Sequence, residues 1–166
     1  TRFVFYVDGK LVVIGGESNT SVADSGRANP TVTGKVFGID LVTVGEGTES
    51  SPYIITNKEQ LAVLALLVNN GNDFEGKYIK LGNNITLDST KEWTAIGSRT
   101  YKFQGTFDGD GKTISGIYIN NKAYQGLFGY LGNNSVVMNL TVEGTNSTSS
   151  EKYGLGGIAG DNRRKN

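Results

Sequence analysis

Short apolar runs separated by glycine, asparagine and aspartate fill the segment from Trp93 to Tyr130. None of these runs is long enough for an ordinary helix, and several alternate apolar and polar residues as strands do. Glycine recurs between the runs, where a sharp turn needs positive φ or a close backbone approach. The segment therefore predicts a succession of short strands. The runs are Thr106-Phe107, Thr113-Ile114, Ile117-Tyr118-Ile119 and Leu127-Phe128.

Similar tripeptides recur along the second half of the chain. Their spacings fall within the range of about 20 to 50 residues that indicates a solenoid, in which each coil buries its inward face against its neighbours. The spacings are unequal, which predicts loops of different length. We therefore expect an all-β fold, a parallel β-helix. The tripeptides are Ile85-Thr86-Leu87, Ile117-Tyr118-Ile119 and Leu140-Thr141-Val142, and also Leu127-Phe128-Gly129 and Ile158-Ala159-Gly160.

One helix is predicted ahead of the regular strands. Thr56 and Glu59 form a capping box, in which each side chain accepts a hydrogen bond from the backbone N–H of the other residue. From Leu61 onward apolar residues follow at helical spacing, and Asn69-Asn70-Gly71 is a stop signal. We expect a largely buried helix near residues 57–69 that caps the N-terminal end of the solenoid.

The first part of the chain has a different pattern. Two β-rich runs, Phe3–Val7 and Lys10–Ile14, flank Asp8-Gly9, a pair that favours the turn of a β-hairpin. A polar segment with glycine and proline near residues 46–52 predicts an internal boundary. Residues 1–47 are thus a short β segment, or the end of a preceding domain. Residues 48–166 form the solenoid, which we expect to be incomplete at its C-terminus, with an uncapped last coil open to self-association.

Composition restricts the function classes. With 37% apolar residues, 19% charged residues and zero formal net charge, the chain matches neither a disordered segment nor an electrostatic nucleic-acid binder. It has no cysteine and no histidine, which excludes thiolate and histidine metal sites and Ser-His-Asp catalysis. No stretch approaches the roughly 20 apolar residues of a membrane span. Carboxylate chemistry remains possible in a chain of this composition. Asp88 and Glu92 are the nearest pair of acids in the sequence for glycoside hydrolysis, and the alternative is that both are simply solvated residues of a polar loop.

The acidic residues Asp108 and Asp110 belong to an Asp-Gly-Asp-Gly sequence. They are candidate calcium ligands, although Lys112 occupies the fifth position of such a loop and Ile119 stands where a bidentate glutamate is required. A structural turn is the other interpretation. Lys112 is a candidate ligand-binding residue, and beside bound calcium it is also a candidate base for a lyase acting on a uronate. We expect no cofactor, and calcium is the ion left open.

Aromatic residues provide the remaining candidates. Tyr101 and Tyr124 lie among polar residues, and an exposed ring can stack on a sugar, so both are candidate ligand-binding residues. We expect Trp93 and Phe103 to pack in the interior instead.

Six segments carry a resemblance to a known family. They are the predicted helix, residues 73–81 (DFEGKYIKL), 93–97 (WTAIG), 103–114 (FQGTFDGDGKTI), 126–129 (GLFG) and 156–160 (GGIAG). Together the span from about Pro52 to Asn162 resembles the GLUG-motif β-helix proteins of bacterial surfaces, a pattern also found beside immunoglobulin A1-cleaving metallopeptidases. The resemblance implies a right-handed parallel β-helix at the extracellular cell surface. It transfers no catalytic residue, because the motif is structural.

These observations predict a non-enzymatic, adhesin-like module of a bacterial cell surface. Its partner would be a host or environmental glycan or a surface protein, bound by loops of unequal length, with no nucleic acid and no membrane insertion. One alternative is a structural spacer or stalk that projects another domain. A third hypothesis is a polysaccharide lyase or hydrolase.

Overall fold

The computed structural model describes residues 3–7, 10–14, 35–36, 39–40, 45–120, 124–147 and 157–162. The chain divides into two compact units, Thr1–Val42 and Thr43–Asn166. The predicted boundary between residues 47 and 48, and the nature of the part before it, remain predictions.

The two described strand pairs of the first unit are antiparallel. Its strands are β1 (Phe3–Val7), β2 (Lys10–Ile14), β3 (Lys35–Val36) and β4 (Ile39–Asp40). β1 pairs with β2, with Val7 opposite Lys10, and β3 pairs with β4. The turn predicted at Asp8-Gly9 lies outside the described residues.

The predicted helix is confirmed as α1 (Lys58–Asn69). Its N-cap is Asn57, whose side-chain oxygen accepts from the backbone N–H of Gln60 at 2.9 Å. The Gln60 side-chain oxygen in turn accepts from the backbone N–H of Thr56 at 2.7 Å. The predicted capping pair of Thr56 and Glu59 is therefore wrong by one residue. Threonine and asparagine are both good N-caps, so the sequence alone does not choose between Thr56 and Asn57. With Asn57 as the N-cap, the buried side-chain amide of Gln60 has a hydrogen-bond partner.

Every described strand pairing of the second unit is parallel. Its strands are β5 (Tyr53–Ile55), β6 (Tyr78–Leu81), β7 (Ile85–Thr86), β8 (Thr106–Asn120), β9 (Phe128–Leu131), β10 (Val136–Ser147) and β11 (Ala159–Asn162). A five-stranded sheet has the order β10-β8-β6-β5, with β7 also paired to β8, and β11 pairs with β9. Parallel neighbours need a crossover connection, and the connection between β5 and β6 contains α1.

The predicted all-β, right-handed parallel β-helix is wrong. The described residues of the second unit form a five-stranded sheet, a two-stranded sheet and a helix, without a closed solenoid. The tripeptide at Ile85 pairs with Ile114 and Ser115, not with the similar tripeptide at Ile117. Similar apolar runs recur wherever parallel strands bury the same face. The repeats therefore indicate parallel strands, but they determine neither the register nor the closure of the sheets.

Phenylalanine side chains form the centre of the core. Phe103, Phe107 and Phe128 are fully buried, which confirms the interior position predicted for Phe103. The Phe128 ring centroid lies 5.2 Å from that of Phe103 and 5.4 Å from that of Phe107, the latter edge to face. Trp93 was expected to be interior but is half-buried, and its indole N–H donates to the Leu127 carbonyl at 3.1 Å. Its polar edge is thus satisfied at the border of the core.

Candidate functional site

The sequence Asp108-Gly-Asp110-Gly lies at a bend within β8. Asp110 has a φ of 50° and Gly111 a φ of 73°, so the strand changes direction there. The Asp108 carboxylate accepts from the backbone N–H of Asp110 at 2.8 Å and from the side-chain amide of Asn139 at 3.0 Å. Asn139 itself has a φ of 54° in the neighbouring strand β10. These contacts are those of a structural turn, the second of the two interpretations of this sequence.

The carboxylate of Asp110 lies beside two lysines. One of its oxygens is 3.4 Å from the Lys80 ammonium and the other is 3.9 Å from the Lys112 ammonium, and all three side chains are at least one-third exposed. Exposed pairs of this kind contribute about 0–1 kcal/mol. In the described part of the chain, no three acidic, histidine or cysteine side chains gather as a metal site would need. Calcium binding by Asp108 and Asp110 and ligand binding by Lys112 remain predictions.

Asp88, the first member of the candidate carboxylate pair, belongs to an exposed turn. Its side chain accepts from the Thr90 hydroxyl at 2.6 Å and from the Thr90 backbone N–H at 3.0 Å. The side-chain and then the backbone hydrogen bond from Thr90 hold the pKa of Asp88 below its usual value. A general acid for glycoside hydrolysis needs a raised pKa, so the environment of Asp88 does not suit that role.

Tyr101 lies in a surface cleft, hereafter the Tyr101 cleft. The cleft has a volume of about 280 Å³, and the Tyr101 side chain is 46% exposed. Its lining combines an aromatic ring with two cations, one carboxylate and polar side chains. The lining residues are Gly71, Asp73, Arg99, Thr100, Tyr101, Lys102 and Gln104.

The segment that carries Tyr101 is attached to β9 at both ends. Ile96 and Phe103, which flank it, form parallel bridges to Phe128 and Leu131. Between these bridges Ser98 closes a turn on Tyr101: the Ser98 backbone N–H donates to the Tyr101 carbonyl at 2.7 Å, and the Ser98 hydroxyl accepts from the Tyr101 N–H at 3.1 Å. The backbone of the Tyr101 cleft is therefore held by pairing on both sides and by the turn itself.

Asn69, the last residue of α1, connects the helix to this segment. Its side-chain NH₂ donates to the Ala95 carbonyl at 3.0 Å, and its side-chain oxygen accepts from the Gly97 backbone N–H at 3.0 Å. Directly after the helix, Gly71 lies next to the Tyr101 ring, since a Cβ added at Gly71 would lie 3.6 Å from a ring carbon. The helix C-terminus thus forms one wall of the Tyr101 cleft.

The two candidate tyrosines do not share a site. Tyr124 is half-buried, has a φ of 55°, and its ring centroid lies 5.6 Å from that of Tyr130. It is not among the residues that line the Tyr101 cleft. Its ligand-binding role remains a prediction.

Sequence reasoning missed the charged residues of the Tyr101 cleft. Arg99 and Lys102 are close to Tyr101 in the sequence, and a basic residue on each side of an exposed aromatic was a usable signal. Asp73 and Gly71 carried no comparable signal. They precede β6 in the chain and lie some thirty residues before Tyr101, so only the fold brings them to the cleft.

Comparisons with known proteins identify distant relatives. No protein-family model matches the chain, and no solved structure matches it. It is similar to a protein of Evansella cellulosilytica named as a Gly-rich membrane protein, with 32% identity over 126 residues, 71% of this chain and 14% of that protein. It is also similar to halomucin of Haloquadratum walsbyi, with 28% identity over 124 residues, 71% of this chain and 1% of that protein.

The chain therefore spans only a small share of these relatives, 14% and 1% of their lengths. Among the described residues, no helix combines the length and apolar character that crossing a bilayer requires.

Proposed function

We propose that this chain is a non-enzymatic, adhesin-like module of a cell-surface protein that binds a glycan or a surface protein. The observation that carries the proposal is the Tyr101 cleft, where a large aromatic side chain remains 46% exposed between charged residues. Exposed aromatic residues in clefts with polar groups are typical of binding sites. The names of the two relatives, Gly-rich membrane protein and halomucin, support a surface or extracellular location. The GLUG resemblance of the sequence points to the same location.

A panel experiment tests this proposal. The labelled chain is applied to a glycan array and to immobilised host surface proteins, beside the Tyr101→Ala and Met138→Ala variants. Met138 is a matched control, because it is 38% exposed but lies on β10 and does not line the Tyr101 cleft. We expect binding to at least one class of partner, reduced by Tyr101→Ala and not by Met138→Ala. Binding to nothing on either panel would refute the proposal, and release of unsaturated or reducing sugar ends would refute its non-enzymatic part.

A structural spacer is the second candidate, and the edge of the five-stranded sheet favours it. β10 pairs with β8 on one side, and its other side has no partner strand among the described residues. Val136 and Met138 on this strand are 44% and 38% exposed. Unpaired strand edges with apolar side chains are sites of further strand addition, which would let such a module stack on a neighbouring one. Replacing the module on the cell by an unrelated rigid domain would preserve attachment if it is a spacer and abolish attachment if it is an adhesin.

A further inference from the structure

We infer that the Tyr101 cleft binds an acidic saccharide, with a sugar ring against Tyr101 and the sugar carboxylate met by Arg99 and Lys102. The inference rests on the proposed binding function and names the class of ligand.

The backbone that carries the aromatic residue of the cleft is held in place before a ligand arrives. A Cβ added at Gly71 would be in ordinary van der Waals contact with the Tyr101 ring, so the glycine leaves the ring open on that side. The turn with Ser98 and the bridges of Ile96 and Phe103 to β9 hold the backbone beneath it. A tyrosine on such a backbone presents a large apolar face and, having few side-chain torsions, loses little conformational entropy on binding. A sugar ring, with its apolar C–H face, is a ligand that such a surface accepts.

The charges of the cleft favour an anion. Arg99 and Lys102 outnumber the single carboxylate of the lining, Asp73. Asp73 is also engaged locally: its side chain accepts from the Glu75 backbone N–H at 3.0 Å. Within the described ranges, neither Arg99 nor Lys102 forms an ion pair, whereas Lys80 and Lys112 both face Asp110.

Cations that form no ion pair with the described residues, beside an exposed ring, match a ligand that carries its own carboxylate. A guanidinium binds a carboxylate through two parallel hydrogen bonds, and such charge-assisted bonds are stronger than those to a neutral hydroxyl. The side chain of Gln104, packed on Gly132, adds an amide for sugar hydroxyls. A volume of about 280 Å³ is near the lower end of ligand sites, which suits one or two sugar units of a longer chain.

The test uses two acidic probes with neutral counterparts: trigalacturonate with galactotriose, and sialyllactose with lactose. Binding to the whole chain is measured by calorimetry and by NMR shifts, at low and high salt. The variants are Arg99→Gln, Tyr101→Ala and Tyr101→Phe. Lys91→Gln is the control, because Lys91 is exposed and does not line the cleft. Circular dichroism verifies that each variant is folded.

We expect at least one acidic probe to bind more tightly than its neutral counterpart, and more weakly as salt rises. Arg99→Gln and Tyr101→Ala should each lower its affinity about tenfold or more, the size of one charge-assisted hydrogen bond or one aromatic contact. Tyr101→Phe and Lys91→Gln should leave it within about twofold.

Three results would overturn the inference. Equal binding of acidic and neutral probes would refute the ligand class while leaving the proposed function intact. Binding of an acidic probe that no cleft variant weakens would refute the site. Absence of saccharide binding would refute the inference, and the surface proteins of the first panel would then decide the proposed function independently.

Discussion

Replacing Asn69 by alanine should destabilise the protein far more than its position at a helix end indicates. The side chain makes two hydrogen bonds of 3.0 Å, to the Ala95 carbonyl and from the Gly97 N–H. Both of these residues are buried, so alanine at position 69 would leave two backbone groups without a partner away from bulk water.

The magnitude follows from the two bonds. A buried polar group left unsatisfied costs about 1–3 kcal/mol, so two such groups cost about 2–6 kcal/mol. We expect a cost of roughly 3 kcal/mol, in the lower part of the range for two groups. Water reaching the half-buried position 69 keeps the cost in that lower part. Alanine is the better helix former by about 0.6 kcal/mol, which offsets a little of the loss. We therefore expect Asn69→Ala to lower the free energy of unfolding by about 2–3 kcal/mol, out of a total of about 5–15 kcal/mol.

Urea unfolding, followed by circular dichroism, measures this difference. The matched control is Asn70→Ala, which removes one exposed bond to the Leu66 carbonyl and should cost under about 1 kcal/mol. Asn69→Asp is a sharper variant: it keeps the acceptor for Gly97 but directs a carboxylate at the Ala95 carbonyl. This variant should be at least as unstable at neutral pH and should recover stability in acid, where the protonated carboxyl can donate. Equal stability of the Asn69→Ala and Asn70→Ala variants would refute the reasoning.

Three further predictions concern the core, a turn and an acidic residue. Phe128→Ala should lower the free energy of unfolding by about 3–5 kcal/mol in urea, and a loss below about 1 kcal/mol would contradict its place at the centre of the core. Gly116 and Gly76 have φ of 77° and 71°, but only at Gly116 would a Cβ collide with a backbone carbonyl, so Gly116→Ala should be the more destabilising in the same assay. Since Thr90 lowers the pKa of Asp88, the stabilising contribution of Asp88 is present above the pKa of the unfolded chain and is lost as pH falls through the folded pKa. Thr90→Ala should raise that pKa towards its usual value in an NMR titration, and an unchanged pKa would contradict this account.

Local patterns in the sequence were sufficient to place the helix and the strand-forming runs, but not the length of the strands. The helix from Lys58 to Asn69 follows from apolar spacing within twelve residues and from a stop signal directly after them. Short apolar runs between glycines predicted separate strands at Thr106-Phe107 and Ile117-Tyr118-Ile119, whereas both runs belong to one strand of 15 residues, β8. These features depend on neighbours a few residues apart, whose geometry the backbone and side-chain chemistry constrain directly.

The candidate site was only partly predictable. Tyr101 stands out in the sequence as an aromatic residue in a polar surrounding, and the structure places it in a cleft. Asn69, in contrast, has the sequence signature of a helix stop, and nothing local indicates that its amide bonds to residues 95 and 97. Its role depends on which distant segment meets the helix end.

The sequence by itself determined the helix, the positions of the apolar runs that form strands and the parallel character of the strands in the second unit, because each depends on contacts between near neighbours or on a repeated apolar face. Only the tertiary structure decided the register of the strands, the absence of a closed solenoid in the described residues, and the meeting of Gly71 and Asp73 with Arg99 and Tyr101. These features depend on long-range packing. Many arrangements bury the same apolar runs equally well, and the specific fit between segments far apart in the chain selects one of them.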